Sequence, residues 1–396
     1  MLNTIERKHF IQLLSLFFYL LFLILSVPGC RNRSYDTNSM LPEKMGKEIN
    51  IAYAKGFRIV EFPGYTKINV HNPWQGAENI SFTYYLVNSE NDVPKELTGK
   101  IVIRTPVKKI VCLSTTHIAL LEFVDEISSI VGMSSPQFVT NNEVINAISR
   151  GEITDVGYEK NLDFEKIVHL NPDLVLAYGI GSEVTGYMKK LNELGITVVL
   201  NGEYLEKEPL AKAEWVKFIA AFYNKENVAL MKFDKLARQY NFLKDIASKE
   251  KDKPLILTGL PWKGVWYMPG GESFAAQFIK DAGGSYLWNK NRSIEALPLD
   301  METVYEKAVN ADCWINPGAA SGIKDILRVD KRLGELDVIQ TGMIFNNNAV
   351  VNKKGGNDYW ESGVTNPHLI LKDLVKIFHP ELLPDHNFVY YRKMEK

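Results

Sequence analysis

The chain has 396 residues, of which 46% are hydrophobic and 11% aromatic, and its 46 basic side chains nearly cancel 47 acidic ones. That balance excludes a nucleic-acid binder resting on general basicity and a disordered acidic chain, and the apolar fraction is ample for packed cores. Three cysteines, none in a CxxC spacing, exclude a disulfide framework, and the length gives a prior of two to three domains at roughly 150 residues each.

Arg7 and Lys8 precede an uncharged, apolar run from Phe10 to Val27, the pattern of an export signal. The run meets Val27-Pro28-Gly29-Cys30, which resembles a bacterial lipobox. On that reading residues 1–29 are a signal peptide and Cys30 is the lipidated first residue. An uncleaved membrane helix is the alternative, since about 18 apolar residues nearly span a bilayer. Polar Arg31-Asn32-Arg33-Ser34 directly after Cys30 favours the lipoprotein. Residues 30–48 read as a tether. The expected location is the bacterial cell envelope, lipid-anchored, on the periplasmic or extracellular face.

Residues 49–107 read as a β-rich extension. The runs Phe57 to Phe62, Thr66 to Val70, Ile80 to Val87 and Lys100 to Thr105 are separated by Pro63-Gly64, Asn72-Pro73 and Asn91-Asp92 turn signals. No chemistry is legible there. From residue 108 strand and helix alternate. Strands are expected at Ile110–Leu113, Ile127–Met133, Asp173–Tyr178 and Ile196–Leu200, with helices at 116–124, 163–169 and 184–194. Such alternation implies an α/β layer with a parallel sheet. Pro209 to Ser248 is helix-rich, with Asn224 a candidate N-cap dividing it. Leu230, Phe233, Ala237 and Tyr240 repeat with helical spacing, so a helix of about 24 residues, about 36 Å long, is expected. Alternation resumes with strands at Leu255–Leu257 and Cys313–Ile315 and helices at 275–282, 300–310 and 367–378. The fold class is therefore α/β: two lobes with parallel sheets, 108–224 and 250–396, joined by one long linking helix, 225–249, behind a β-rich extension.

A signature occurs once per lobe. Leu162-Asp163-Phe164-Glu165 leads through a helix to Asp173 and a buried strand. Leu299-Asp300-Met301-Glu302 leads likewise to Asp312 and a buried strand. Asp163 and Asp300 suit N-caps, and Glu165 and Glu302 fall in a first turn, where the helix dipole favours negative charge. Helix stability alone accounts for that pattern; the alternative is that each lobe holds out a carboxylate for a partner.

The stretches Lys108 to Ser114, Val131-Gly132, Asp155-Val156-Gly157, Glu165-Lys166-Ile167 and Asn171 to Val175 resemble the first lobe of periplasmic substrate-binding proteins of ABC importers. The branch is the one for iron–siderophores, haem and cobalamin. Ser273 to Gly284 and Leu299 to Ile315 are similar to its second lobe. The resemblance spans about residues 108–380. It implies two lobes on a stiff helix, a ligand held between them, and docking of Glu165 and Glu302 against a permease dimer. Cys112 and Thr115-Thr116-His117 depart from the usual Ser-rich run, and the extension is additional.

In such a fold the ligand meets loops at the carboxyl ends of strands. His117, Tyr158, Tyr178, Trp262, Trp266, Arg292 and Trp360 are the candidate ligand-binding residues. Aromatic rings supply contact area at low entropic cost, and an arginine can neutralise an anionic chelate. His117 could also ligate a haem or metal, although a lone His is more often structural. His169, His379 and His386 read as structural or surface residues. No His/Asp/Glu cluster has the spacing of a dedicated metal site. Cys112 and Cys313 read as buried small apolar residues. The chain lacks a G-x-S-x-G elbow, HExxH, P-loop and dinucleotide fingerprint, so no catalytic residue is assigned. The expected function is capture of an iron–siderophore-type chelate by a lipid-anchored monomer for an ABC importer, without a resident cofactor. Corrinoid or haem is the alternative ligand, and an exported hydrolase the alternative of another class.

Overall fold

The computed structural model describes residues 46–158, 161–179, 181 and 184–395. The signal segment, Cys30 and most of the tether lie outside them. Among the described residues no helix is long and apolar enough to cross a membrane.

The extension is a five-stranded sheet in sequence order. It contains β1 (Lys47–Glu48), β2 (Phe57–Phe62), β3 (Tyr65–His71), β4 (Ser81–Asn88) and β5 (Val102–Thr105). Pairing begins within the expected tether, Lys47 lying opposite Glu61. The first four strands are antiparallel neighbours, and β5 runs parallel to β4.

The first lobe alternates as its apolar runs predict. In chain order it comprises β6 (Ile110–Cys112), α1 (Thr116–Phe123), β7 (Ile130–Met133), α2 (Asn142–Ser149), β8 (Thr154–Asp155), α3 (Phe164–Leu170), β9 (Leu174–Ala177), α4 (Val184–Glu193) and β10 (Val198–Leu200). The sheet is wholly parallel, in the order β10-β9-β6-β7-β8. Successive residues of β6 and β9 enter different cores. Ile110, Cys112, Leu174 and Leu176 join the large core; Val111, Val175 and Ala177 join Ile167, Val184 and Leu191 beneath α3 and α4. A sheet covered on both faces has no solvent face, so its strands read as continuous apolar runs. Gly132 in β7 is needed for this layer: a Cβ there would lie 2.7 Å from Leu170 Cδ1 of α3.

Two helices follow, α5 (Pro209–Ala221) and α6 (Glu226–Ser248). Asn224 is not the N-cap expected from the sequence. It adopts a left-handed φ of 57° between the helices, and Lys225 takes the cap position without a side-chain bond. Asparagine tolerates that backbone better than most residues, which explains its place at the break. Helix α6 has 23 residues, about 35 Å at 1.5 Å each, and buries Phe233, Leu236, Ala237, Tyr240 and Leu243 along one stripe.

The second lobe contains β11 (Leu255–Thr258), β12 (Val265–Met268), α7 (Phe274–Asp281), β13 (Ser285–Tyr286), β14 (Leu297–Asp300), α8 (Met301–Ala308), β15 (Cys313–Ile315), α9 (Ile323–Val329), α10 (Asp337–Thr341), β16 (Ile344–Asn346), α11 (Pro367–Phe378) and β17 (Arg392–Lys393). Its sheet runs β13-β11-β15-β16-β17, parallel except for the last strand, and β12 pairs with β14 as a separate ribbon. The chain thus has two parallel-sheet lobes joined by a long helix, with a β-rich extension in front. Both β-strand cysteines, Cys112 and Cys313, are buried and free.

Candidate functional site

All strands of the first sheet are parallel, so their carboxyl ends share one edge. A concavity of about 850 Å³ opens there. Leu113 follows β6, Ser134 and Ser135 follow β7, Tyr158 follows β8, and Tyr178 with Gly179 follows β9. Tyr158 is 54% exposed and is presented by a constrained turn. Asp155 accepts a hydrogen bond from the Gly157 amide at 2.9 Å. Gly157 has φ +76°, and a Cβ would fall 2.2 Å from the Asn161 carbonyl, so only glycine fits. Phe164 and Tyr187 complete the aromatic wall, and Tyr187 donates to the Tyr178 carbonyl at 2.7 Å. Lys190 is the one charged side chain lining the cavity among the described residues.

Behind this wall His117, in the first turn of α1, is wholly buried, and both ring nitrogens lack a hydrogen-bond partner among the described residues. Its ring meets Tyr178 edge-on, with centroids 6.5 Å apart. Desolvation lowers its pKa to about 3, so the imidazole is neutral. Glu203, also buried, has an Oε2 without a partner among the described residues, and burial raises its pKa.

The extension reaches this edge, which its sequence did not disclose. Trp74 is buried and forms a parallel bridge to Gly179. The Gln75 amide donates to the Tyr204 hydroxyl at 3.2 Å, and Tyr204 donates to the Gly179 carbonyl. The Gln75 side chain donates to Glu295 of the second lobe at 3.0 Å. The loop after β3 therefore spans both lobes. Asn72-Pro73 marks it as a turn, but nothing local says what it touches.

A second bridge lies at Thr140 and Asn141. Their amides donate to the Glu361 carboxylate at 2.9 and 2.7 Å, and the Thr140 hydroxyl donates to Asp358 at 2.9 Å. Glu361 is 2% exposed, and burial raises its pKa. Asn352 donates to the carbonyls of Gln137 and Val139 at 3.0 and 2.9 Å. Gly356 comes so close that a Cβ would lie 2.0 Å from the Phe138 carbonyl.

The other candidates are dispersed. Trp266 is a correction: it has no exposed surface, lies 5.7 Å from Trp314, and donates its indole N–H to the Thr258 carbonyl at 3.1 Å. The alternation of β12 turns its ring into the core. Trp262, four residues earlier, is 62% exposed, with Lys263 Nζ 4.4 Å above its ring. Trp360 is 56% exposed and packs on Tyr359. Arg292 pairs with Glu272 at 2.9 Å beside a different concavity from the one that holds Tyr158 and Tyr178. Its charge already has a partner. Glu165 and Glu302 are exposed in the first turns of α3 and α8. Asp163 and Asp300 cap those helices, accepting from the amides of Lys166 at 3.0 Å and Thr303 at 2.7 Å. Arg332 donates to Glu302 at 3.1 Å. Cys30 lies outside the described residues.

A family model described as periplasmic binding protein matches residues 110–345. The chain belongs to the periplasmic binding protein family. Two uncharacterized lipoproteins of Methanocaldococcus jannaschii are 28% and 26% identical to this member. The first match covers 87% of this chain and 85% of the relative, the second 94% and 96%. Among solved structures, a possible iron-binding periplasmic solute-binding protein of Staphylococcus epidermidis superimposes with TM-score 0.55 at 16% identity. It covers 69% of this chain and 100% of that one. A periplasmic heme binding protein of Pseudomonas aeruginosa gives 0.54 at 14%, covering 73% and 99%. These likenesses establish the fold of this periplasmic binding protein, whose family members bind substrates rather than transform them.

Proposed function

We propose that this chain is the extracytoplasmic binding component of an ABC importer, anchored through Cys30, and that it captures a metal chelate of the iron–siderophore type at the carboxyl edge of the first sheet. The concavity bounded by Tyr158, Phe164, Tyr178 and Tyr187 carries the reading. Its volume of about 850 Å³ suits a large ligand, its rings suit flat or catecholate surfaces, and Lys190 suits net negative charge. Corrinoid or haem is the alternative ligand for the same wall. The names of the relatives as lipoproteins, and the apolar run ending at Cys30, support the anchor. Glu165 and Glu302, one per lobe on capped helices, are the proposed contacts to a permease dimer.

Ligand-stripped protein titrated with a ferric siderophore, cobalamin and haem tests this. One of the three should quench tryptophan fluorescence, saturate at one ligand per chain, and return chemically unchanged. No saturation with any chelate would defeat the ligand class, and a released hydrolysis product would favour an enzyme.

A further inference from the structure

Three residues far apart in the chain meet at the base of the linking helix. Glu250 lies just beyond the end of α6, His379 caps α11, and Glu381 follows in the next turn. One ligand-capable atom from each lies within 4.8 Å of the others. His379 is 4% exposed. Its Nε2 faces the Gly283 carbonyl at 3.4 Å. A carbonyl can only accept, so Nε2 carries a proton. Nδ1 faces Glu381 Oε1, 3.9 Å away, too far for a hydrogen bond. Two carboxylates gathered beside this buried ring are unfavourable unless a positive charge lies among them.

The surroundings favour a cation independently. α6 and α11 have 23 and 12 residues, and their carboxyl ends converge here, each carrying the negative end of a helix dipole. The imidazole is also held in place. Gly283, at φ +82°, leaves the only space for it, because a Cβ would lie 2.6 Å from Nε2 and 2.8 Å from the Ala247 carbonyl. An imidazole anchored by Nε2–H on a backbone carbonyl, with Nδ1 turned to a carboxylate, is the arrangement that orients metal-ligating histidines.

We propose that Glu250, His379 Nδ1 and Glu381 bind a first-row divalent cation of the zinc type, with water completing the shell. One nitrogen and two carboxylate oxygens suit such an ion better than calcium or magnesium, which take oxygen donors. Ligand atoms about 2.0–2.1 Å from a tetrahedral zinc are about 3.4 Å apart. The present separations close to that by rotation of the glutamates, since Glu381 is largely exposed and Glu250 half-exposed. The site is separate from the chelate cavity. A bound ion there ties the end of the linking helix to the last helix of the second lobe.

The full chain without an affinity tag, stripped with chelator, is titrated with zinc sulfate by calorimetry and followed by thermal melting. One zinc per chain and a raised melting temperature are expected. Glu250→Gln with Glu381→Gln should weaken binding by about a hundredfold or more, while the metal-free melting temperature stays at or above the parent's and chelate binding is unchanged. Both glutamates border solvent, so this pair keeps the test informative even if His379→Gln misfolds. Absence of zinc binding by the parent chain, or equal binding by the double variant, overturns the proposal. So does a parent chain stabilised at this site by acid alone, which would assign the positive charge to an imidazolium.

Discussion

His117 has the most consequential environment of any single side chain near the cavity. Free imidazole titrates near 6.5, and burial lowers this one to about 3. Between those values the unfolded chain binds a proton that the folded chain refuses. Stability from this group is therefore full above about pH 6.5 and is lost as pH falls toward 3, with a slope approaching 1.4 kcal/mol per pH unit, roughly one proton's worth. His117→Leu should flatten the acid limb of the urea midpoint by that one proton; an unchanged slope would place the acid sensitivity elsewhere. His368, also lowered by burial, to about 4, keeps a second contribution in both proteins. The identity of His117 was plain in the sequence after the first strand, but its isolation was not. Only the packing of α1 against its neighbours removes water from both nitrogens.

At the scale of elements, the extension is fastened to α5 and the turn before it by buried carboxylates. Glu214, fully buried, accepts from the amides of Ala52, Tyr53 and Ala54 at 2.8, 2.6 and 2.8 Å and from Lys217 at 2.6 Å. Glu206 accepts from Lys55, Gly56 and the Trp215 indole at 2.9, 2.9 and 3.1 Å. Glu214→Ala would leave three amides without their acceptor and the Lys217 ammonium with only the Asn50 carbonyl, a loss of about 3–5 kcal/mol. We expect a lower urea midpoint and new protease cleavage before residue 107; resistance equal to the parent would show that the extension is held without Glu214, by its apolar face and Glu206. The strands of this sheet follow from alternation and turn residues, and its helical partner does not, because a Glu on a helix reads as a solvent residue until tertiary contacts bury it.

For the whole molecule, the two lobes are bridged by Glu361 on the amides of Thr140 and Asn141, at the start of α2, and by Gln75 on Glu295. A carboxylate at a helix N-terminus is favoured by the dipole, so this bridge joins charge to backbone. Glu361→Ala should loosen the lobes, seen as a larger radius of gyration in ligand-free scattering and faster chelate release. No change in either would mean that α6 and the remaining bridges, Gln75 to Glu295 and Asn352 to the Gln137 and Val139 carbonyls, set their separation without Glu361. Docking is tested at the same scale. Glu165→Ala with Glu302→Ala should abolish uptake while chelate affinity stays within about twofold, because both side chains are exposed and outside the aromatic wall. A matching loss of affinity would assign them to the ligand instead. Arg332, paired with both Glu302 and Asp330, keeps Asp330 in that variant.

The sequence alone determined the strand–helix alternation, the parallel lobes, the long helix and the capped glutamates of α3 and α8. Each is written in short-range chemistry: apolar runs, helical spacing, and Asp three residues before the amide it accepts from. Tertiary structure alone decided that Trp266 is core while Trp262 is surface, that the loop at Trp74 and Gln75 joins the cavity edge, and that Glu250 meets His379 and Glu381. Those outcomes depend on which chain segments arrive together in space. Long-range packing sets burial, proton affinity and ligand geometry, and no local pattern encodes them.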